Sequence, residues 1–176
     1  TGHDRYTSFS QAWHAKAGVR SNPETYDLGL STSSAFDNGG RSWHLPTYAG
    51  ILQHPALDTL TAQQQEYVRG TQLLEFVTKQ SRFEVDYVNW VASRLAHGKY
   101  LFKLPENLKL DALKIYTDEA YHAYYTQKIA FQITEFYGIC ENDIAKYVDD
   151  FYQRTETMFA DFPEQHRSLI MLAFVI

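Results

Sequence analysis

A chain of 176 residues, 44% apolar and 15% aromatic, has enough apolar material for one domain or a little more with a filled core. Its net charge of -5 gives no basic footprint for a nucleic-acid backbone, and no stretch is apolar for long enough to span a bilayer. The single cysteine, Cys140, excludes an intrachain disulfide framework; it reads as an inert, partly buried thiol in a reducing, cytoplasmic setting.

The start, "TGHDRYTSFSQAWHAK", has no hydrophobic signal region and no initiator Met, so Thr1 reads as a trimmed start. Residues 1–60 are expected to be an irregular segment packing on a helical body. "YDLGLSTSSAFDNGGRSWHLPTYAG" is rich in turn formers, with short helical pieces predicted around Phe9–Ala17 and Pro46–His54. "DNGGR" lacks the Lys-Ser/Thr pair and the strand context of a phosphate loop, and reads as a turn.

From Thr61 onward, apolar residues recur at helical spacing. Thr61 is the predicted N-cap of a first long helix and Gly98 its stop. A second helix spans "ENLKLDALKIYTDEAYHAYYTQKIAFQITEFYG" and closes at Gly138, and a third spans "ENDIAKYVDDFYQRTETMFADF", with Asn142 or Asp143 near its start. Pro163 begins a fourth, "PEQHRSLIMLAFVI", which stops in an apolar run without a cap, so the bundle over 61–176 is expected to be truncated at its C-terminus. Strand signals are weak throughout, and the class is all-α, a helix bundle.

Steps of 3 and 4 along the second helix give the row Leu108, Ala112, Ile115, Glu119, His122, Thr126, Ile129, Ile133. A carboxylate and an imidazole interrupt an otherwise apolar stripe at its centre. The same steps along the first helix give Leu74, Val77, Ser81, Glu84, Val88, Val91, Leu95, again with a glutamate in mid-stripe. Glu75 falls in a polar row and is expected to be solvated, paired with Lys79 or Arg82. A short connection makes the two helices antiparallel neighbours, and Glu84 and Glu119 lie equally far from its midpoint near residues 101–102. At about 1.5 Å rise per residue, both carboxylates reach the same height.

Unpaired carboxylates are not tolerated in a core, so something must compensate them. Two carboxylates and an imidazole suit a transition metal, and Glu84, Glu119 and His122 are the candidate ligands. Asp118 lies off the stripe and is the candidate for orienting a ligand imidazole through its second ring nitrogen. A structural cluster, with His122 pairing one glutamate and no metal, is the alternative. His44, His54, His97 and His166 fall on no ligand-bearing stripe.

"FEVDYVNWVASRLAHG" and "LKIYTDEAYHAYYTQKIA" resemble the p-aminobenzoate N-oxygenase family of di-iron oxygenases, and the likeness covers about residues 65–176. Glu84, Glu119 and His122 match the first half of that family's ligand set; the next family glutamate would fall just past Ile176. The resemblance implies a ferritin-like bundle holding two irons, with manganese as the other metal such bundles take. It further implies O2-dependent oxidation of a small organic substrate, N-oxygenation of an aryl amine, with an external electron donor and a homodimeric enzyme. Tyr116, Tyr121, Tyr124 and Phe131 are near enough to line a substrate cavity, with core packing as their alternative. The rivals are another di-iron oxidase or hydroxylase on the same bundle, and a non-catalytic helical module.

Overall fold

A computed structural model of the protein describes residues 7–8, 10–21, 54–100, 102–164, 166–167 and 170. Every element among these residues is helical, and the all-α class holds. Two short helices, α1 (Trp13–Lys16) and α2 (Gly18–Ser21), precede a 3-10 turn at Pro55–Thr59. Three long stretches follow: α3 (Ala62–Phe83) continuing through a π-turn (Glu84–Val88) into α4 (Asn89–Ala96), then α5 (Glu106–Tyr137) and α6 (Glu141–Ala160). No helix among the described residues is long and apolar enough to cross a membrane. The helical piece predicted at Pro46–His54 and the "DNGGR" turn lie outside the described residues, apart from His54.

The ends of these helices follow from local chemistry. Thr61 and Gln64 form a capping box: Gln64 N–H donates to Thr61 Oγ1 at 3.3 Å, and Thr61 N–H donates to Gln64 Oε1 at 2.9 Å. α4 ends in a Schellman motif, in which Gly98 takes φ +61° and the Lys99 N–H reaches back to the Arg94 carbonyl at 2.9 Å. Gly138 takes φ +63° after α5. At the start of α6, Asp143 Oδ2 accepts from the Cys140 N–H at 3.1 Å, and Cys140 is exposed, against the expectation of a partly buried thiol.

The structured chain divides into two compact units. One comprises Thr1–Thr25, Gln80–Tyr125 and Tyr152–Ile176; the other comprises Tyr26–Lys79 and Thr126–Phe151. The second unit is centred on Leu74, Val77, Ala130, Ile133, Ile144 and Val148, all buried. There the Tyr137 ring lies against Gly70, so closely that a Cβ at Gly70 would sit 2.6 Å from a ring carbon. Burial and the nearby Glu66 push the Tyr137 hydroxyl up to about 12.

The first unit contains the candidate site. Its core includes Val88, Val91, Ala92, Leu95, Ala112 and Ala123. Here the strands of helix run antiparallel, because Ser81 Oγ donates to the Ala123 carbonyl at 3.1 Å while Gly98 faces Lys109. Ser81 pairs with Ala123 and Glu84 with Glu119 about one sequence midpoint, residues 101–102. That is the register expected from the stripes.

A segment of the N-terminal region packs on α5 within this unit. Ser8 Oγ donates to Asp111 Oδ1 at 2.8 Å, and Lys114 Nζ bridges Asp111 Oδ1 (2.8 Å) and the Ser10 carbonyl (3.2 Å). Asp111 is only 1% exposed, so this pairing satisfies a carboxylate that could not otherwise remain charged in the core.

Candidate metal centre

Glu84 opens the π-turn, where the Asn89 N–H donates to the Glu84 carbonyl across five residues instead of four. The extra residue widens the buried face after Glu84: Tyr87, Val88 and Asn89 are buried in succession. Glu84 itself is 8% exposed, as its place in the stripe of Leu74, Val77, Val88, Val91 and Leu95 predicts. π-turns of this kind are frequent at functional positions, and here one carries a candidate ligand. Sequence periodicity did not reveal it, since a single inserted residue leaves a 3-4 row readable on both sides.

From α5, Glu119 and His122 project on one face, three residues apart. His122 Nδ1 lies 2.8 Å from Glu119 Oε2. With a carboxylate as the acceptor, Nδ1 carries the hydrogen and Nε2 is left as the basic nitrogen. One ligand atom each from Glu84, Glu119 and His122 lie within 4.8 Å of one another. Adjacent donors on a first-row ion with bonds of about 2.1 Å stand about 3.0–3.4 Å apart, so side-chain rotation would have to draw these atoms together on loading. Among the described residues no other group of three or more His, Cys, Asp or Glu side chains gathers in this way.

The electrostatics of the cluster are those of crowded acid. The Glu84 carboxyl is pushed up from 4.5 to about 7. Burial is the largest cause; the hydrogen bond to Glu119 and the Glu119 charge push the same way, while the Gln80 amide and His122 pull it back. Near neutral pH the Glu84 carboxyl is therefore partly protonated. Gln80 Nε2 donates to Glu84 Oε1 at 2.5 Å from one turn earlier, fixing the rotamer of that side chain. Gln80 is a site residue that the sequence reading missed, although its i, i+4 spacing to Glu84 was available as a signal.

The side toward His122 is open, since its side chain is 44% exposed and that of Glu119 20%. Tyr125, also absent from the predicted set, places its ring edge-on to the imidazole, with centroids 5.8 Å apart. Tyr121 is half-buried and packs against both Tyr124 and Tyr125. Tyr116, Tyr124 and Phe131 are 43%, 46% and 55% exposed, and so do not enclose a cavity as expected. They lie off the row of Ala112, Glu119, His122 and Thr126, on the solvent side of α5.

Asp118 is the other departure. Trp13 Nε1 donates to Asp118 Oδ2 at 2.7 Å, so its partner is an indole of α1 and not a ligand imidazole. Asp118 Oδ1 is buried and makes no hydrogen bond. A contact across 105 positions in sequence left no local pattern by which to find Trp13. Glu75 pairs with Lys79 on the polar face as expected, while Arg82 turns to Asp86 at 3.0 Å. His54 accepts from the Ala56 N–H at its own helix start, and His97 Nδ1 meets the Ser93 carbonyl in the last turn of α4. His166 is exposed, and His44 lies outside the described residues.

Two carboxylates and an imidazole thus meet between two helices as a group of potential metal ligands. No protein-family model, curated protein or solved structure matches the chain.

Proposed function

We propose that Glu84, Glu119 and His122 bind a redox-active transition metal, iron first and manganese second, and that the chain is part of an O2-dependent oxidase on a ferritin-like bundle. The observation that carries this reading is the convergence of three ligand atoms, two of them carboxylate oxygens, within 4.8 Å of one another. The donor set fits such an ion: hard oxygens with one imidazole suit ferrous iron and manganese, and the absence of a thiolate from the group makes a structural zinc site a poor match. The resemblance to the p-aminobenzoate N-oxygenases points to a dinuclear centre completed by further ligands, to N-oxygenation of an aryl amine, to an external electron donor, and to a homodimer.

Bound irons would supply O2 activation and the electrons for substrate oxidation. The chain's own residues do the rest. Glu84 provides a buried carboxylate whose proton leaves on loading, and Gln80 holds it in one rotamer. His122 has its tautomer set by Glu119, and Tyr125 packs on its edge. The exposed side of His122 is the approach for a small substrate.

A second reading is favoured by one observation. The three side chains already hydrogen-bond to one another, as a purely structural cluster would. Elemental analysis after anaerobic loading with ferrous iron separates the readings, with Glu84→Gln/Glu119→Gln as the control. About two irons per chain, lost in the control, is the outcome expected for a dinuclear bundle site. One iron per chain would replace the dinuclear proposal by a single-ion site. No iron above the control would leave the structural cluster. Loaded protein is then assayed for O2-dependent oxidation of aryl amines, and oxidation of another substrate class would shift the assignment to a hydroxylase.

A further inference from the structure

A second site lies on the outer side of the π-turn, within the same unit as the candidate metal centre. Asp86, Tyr87, Trp90, Glu156, Phe159 and Arg167 line a cavity of about 240 Å³ that shares no residue with the metal cluster. That volume is below the range of drug-sized ligands and takes a molecule built on one ring. Three of the six lining residues are aromatic.

The charges in this cavity are distributed in an informative way. Asp86 is neutralised by Arg82 at 3.0 Å. Glu156 accepts a hydrogen bond from the Tyr87 hydroxyl at 2.8 Å, and among the described residues no cation stands within ion-pair distance of it. Burial and Glu156 raise the Tyr87 hydroxyl, so Tyr87 stays a donor toward the Glu156 carboxylate. Arg167 is anchored from the other direction: Nε donates to the Phe162 carbonyl at 2.7 Å and Nη2 to the Ala160 carbonyl at 2.8 Å. Those two bonds orient the guanidinium and leave Nη1 unused, with no carboxylate in ion-pair distance among the described residues. Arg94 stacks on Trp90 at 5.0 Å and ties to Glu164, which holds the aromatic wall in place.

One cavity therefore holds one anion and one cation, each oriented and neither neutralised, between aromatic walls. We propose that it binds a small zwitterion with an aromatic body, an α-amino acid with an aromatic side chain being the simplest example. The ammonium pairs with Glu156, the carboxylate with Arg167, and the ring packs among Tyr87, Trp90 and Phe159. A simple amine would leave Arg167 unpaired, and a simple acid would leave Glu156 unpaired. The proposal is independent of metal at Glu84 and of any activity there.

The test is calorimetry on the metal-free protein with L-phenylalanine, phenethylamine and 3-phenylpropionate. L-phenylalanine should bind, and each analogue, lacking one charge, should bind about tenfold more weakly or worse. Glu156→Gln keeps an acceptor for Tyr87 and should weaken L-phenylalanine by about tenfold while leaving 3-phenylpropionate unchanged. Arg167→Gln should have the reverse selectivity; Arg167→Lys, which keeps the charge but cannot reproduce both carbonyl contacts, should restore only part of the affinity. No heat with L-phenylalanine, equal binding of phenethylamine and L-phenylalanine, or indifference of all three ligands to Glu156→Gln would each overturn the assignment.

Discussion

Replacing Glu84 with Gln should make the metal-free protein more stable, and increasingly so as pH rises. The amide keeps the shape of the carboxyl, still accepts from Gln80, and can donate to Glu119. The folded-state value of Glu84 is raised to about 7 from 4.5, so the folded protein binds the extra proton between those limits. Stability tied to that proton is complete below 4.5 and is lost as pH rises through about 7. At about 1.4 kcal/mol per pH unit the ceiling is about 3 kcal/mol. Solvent reaches the cluster from the His122 side, where the imidazole is 44% exposed, and screening reduces this to about 1–2 kcal/mol. The assay is urea unfolding of chelator-treated wild type and Glu84→Gln across this pH range, with slopes compared to verify that the unfolded states match. The variant should gain about 1–2 kcal/mol near pH 8 over its difference at pH 4, or about 2–8 °C in melting temperature for a chain of this size. A difference between the two proteins that does not change with pH would refute the reasoning, because burial beside a second carboxylate must act through the charged form alone. The same substitution should abolish any melting increase produced by ferrous iron.

Gly70→Ala should destabilise the protein by about 1–3 kcal/mol in urea unfolding, since the new methyl meets the Tyr137 ring at 2.6 Å and the ring must move; Tyr137→Ala in the same chain should remove most of the additional penalty. Thr61→Ala takes away the side-chain half of the capping box and should cost about 1 kcal/mol, whereas Thr61→Ser should be nearly neutral. Trp13→Phe leaves both oxygens of Asp118 without a donor and should cost about 1–3 kcal/mol, a loss that Asp118→Asn in the same background should not deepen.

Helix positions were readable because burial repeats along α3, α4 and α5, and because Thr61, Gly98 and Gly138 sit where caps and stops require them. The candidate site was readable for a related reason: Glu84, Glu119 and His122 violate the apolar stripes that contain them. The equal heights followed from a short antiparallel connection and are matched by the Ser81–Ala123 hydrogen bond. Other features rest on physics that periodicity does not carry. The π-turn depends on one backbone bond from Asn89 to Glu84. Trp13 reaches Asp118 from a region with almost no pattern of its own. Of the four aromatic candidates Tyr121 is half-buried, while Tyr116, Tyr124 and Phe131 are exposed, because nearness in sequence to a ligand says little about direction around a helix.

The energetics of the cluster bear on why it exists. Gln80 and His122 only partly offset the burial of Glu84 and its repulsion by Glu119, so the folded metal-free chain should be less stable at neutral pH than one with an amide in that place. A cluster kept only for packing would be better served by Gln at one of the two positions, which satisfies the same hydrogen bonds without charge. On the proposed reading a cation would change the sign of that comparison: it would remove the repulsion and displace the Glu84 proton, and the second carboxylate would become a ligand instead of a liability. Under the metal-site proposal, crowding in the metal-free cluster and affinity for a cation would be one property, and pH-dependent stabilisation by Glu84→Gln together with loss of iron in that variant would support both.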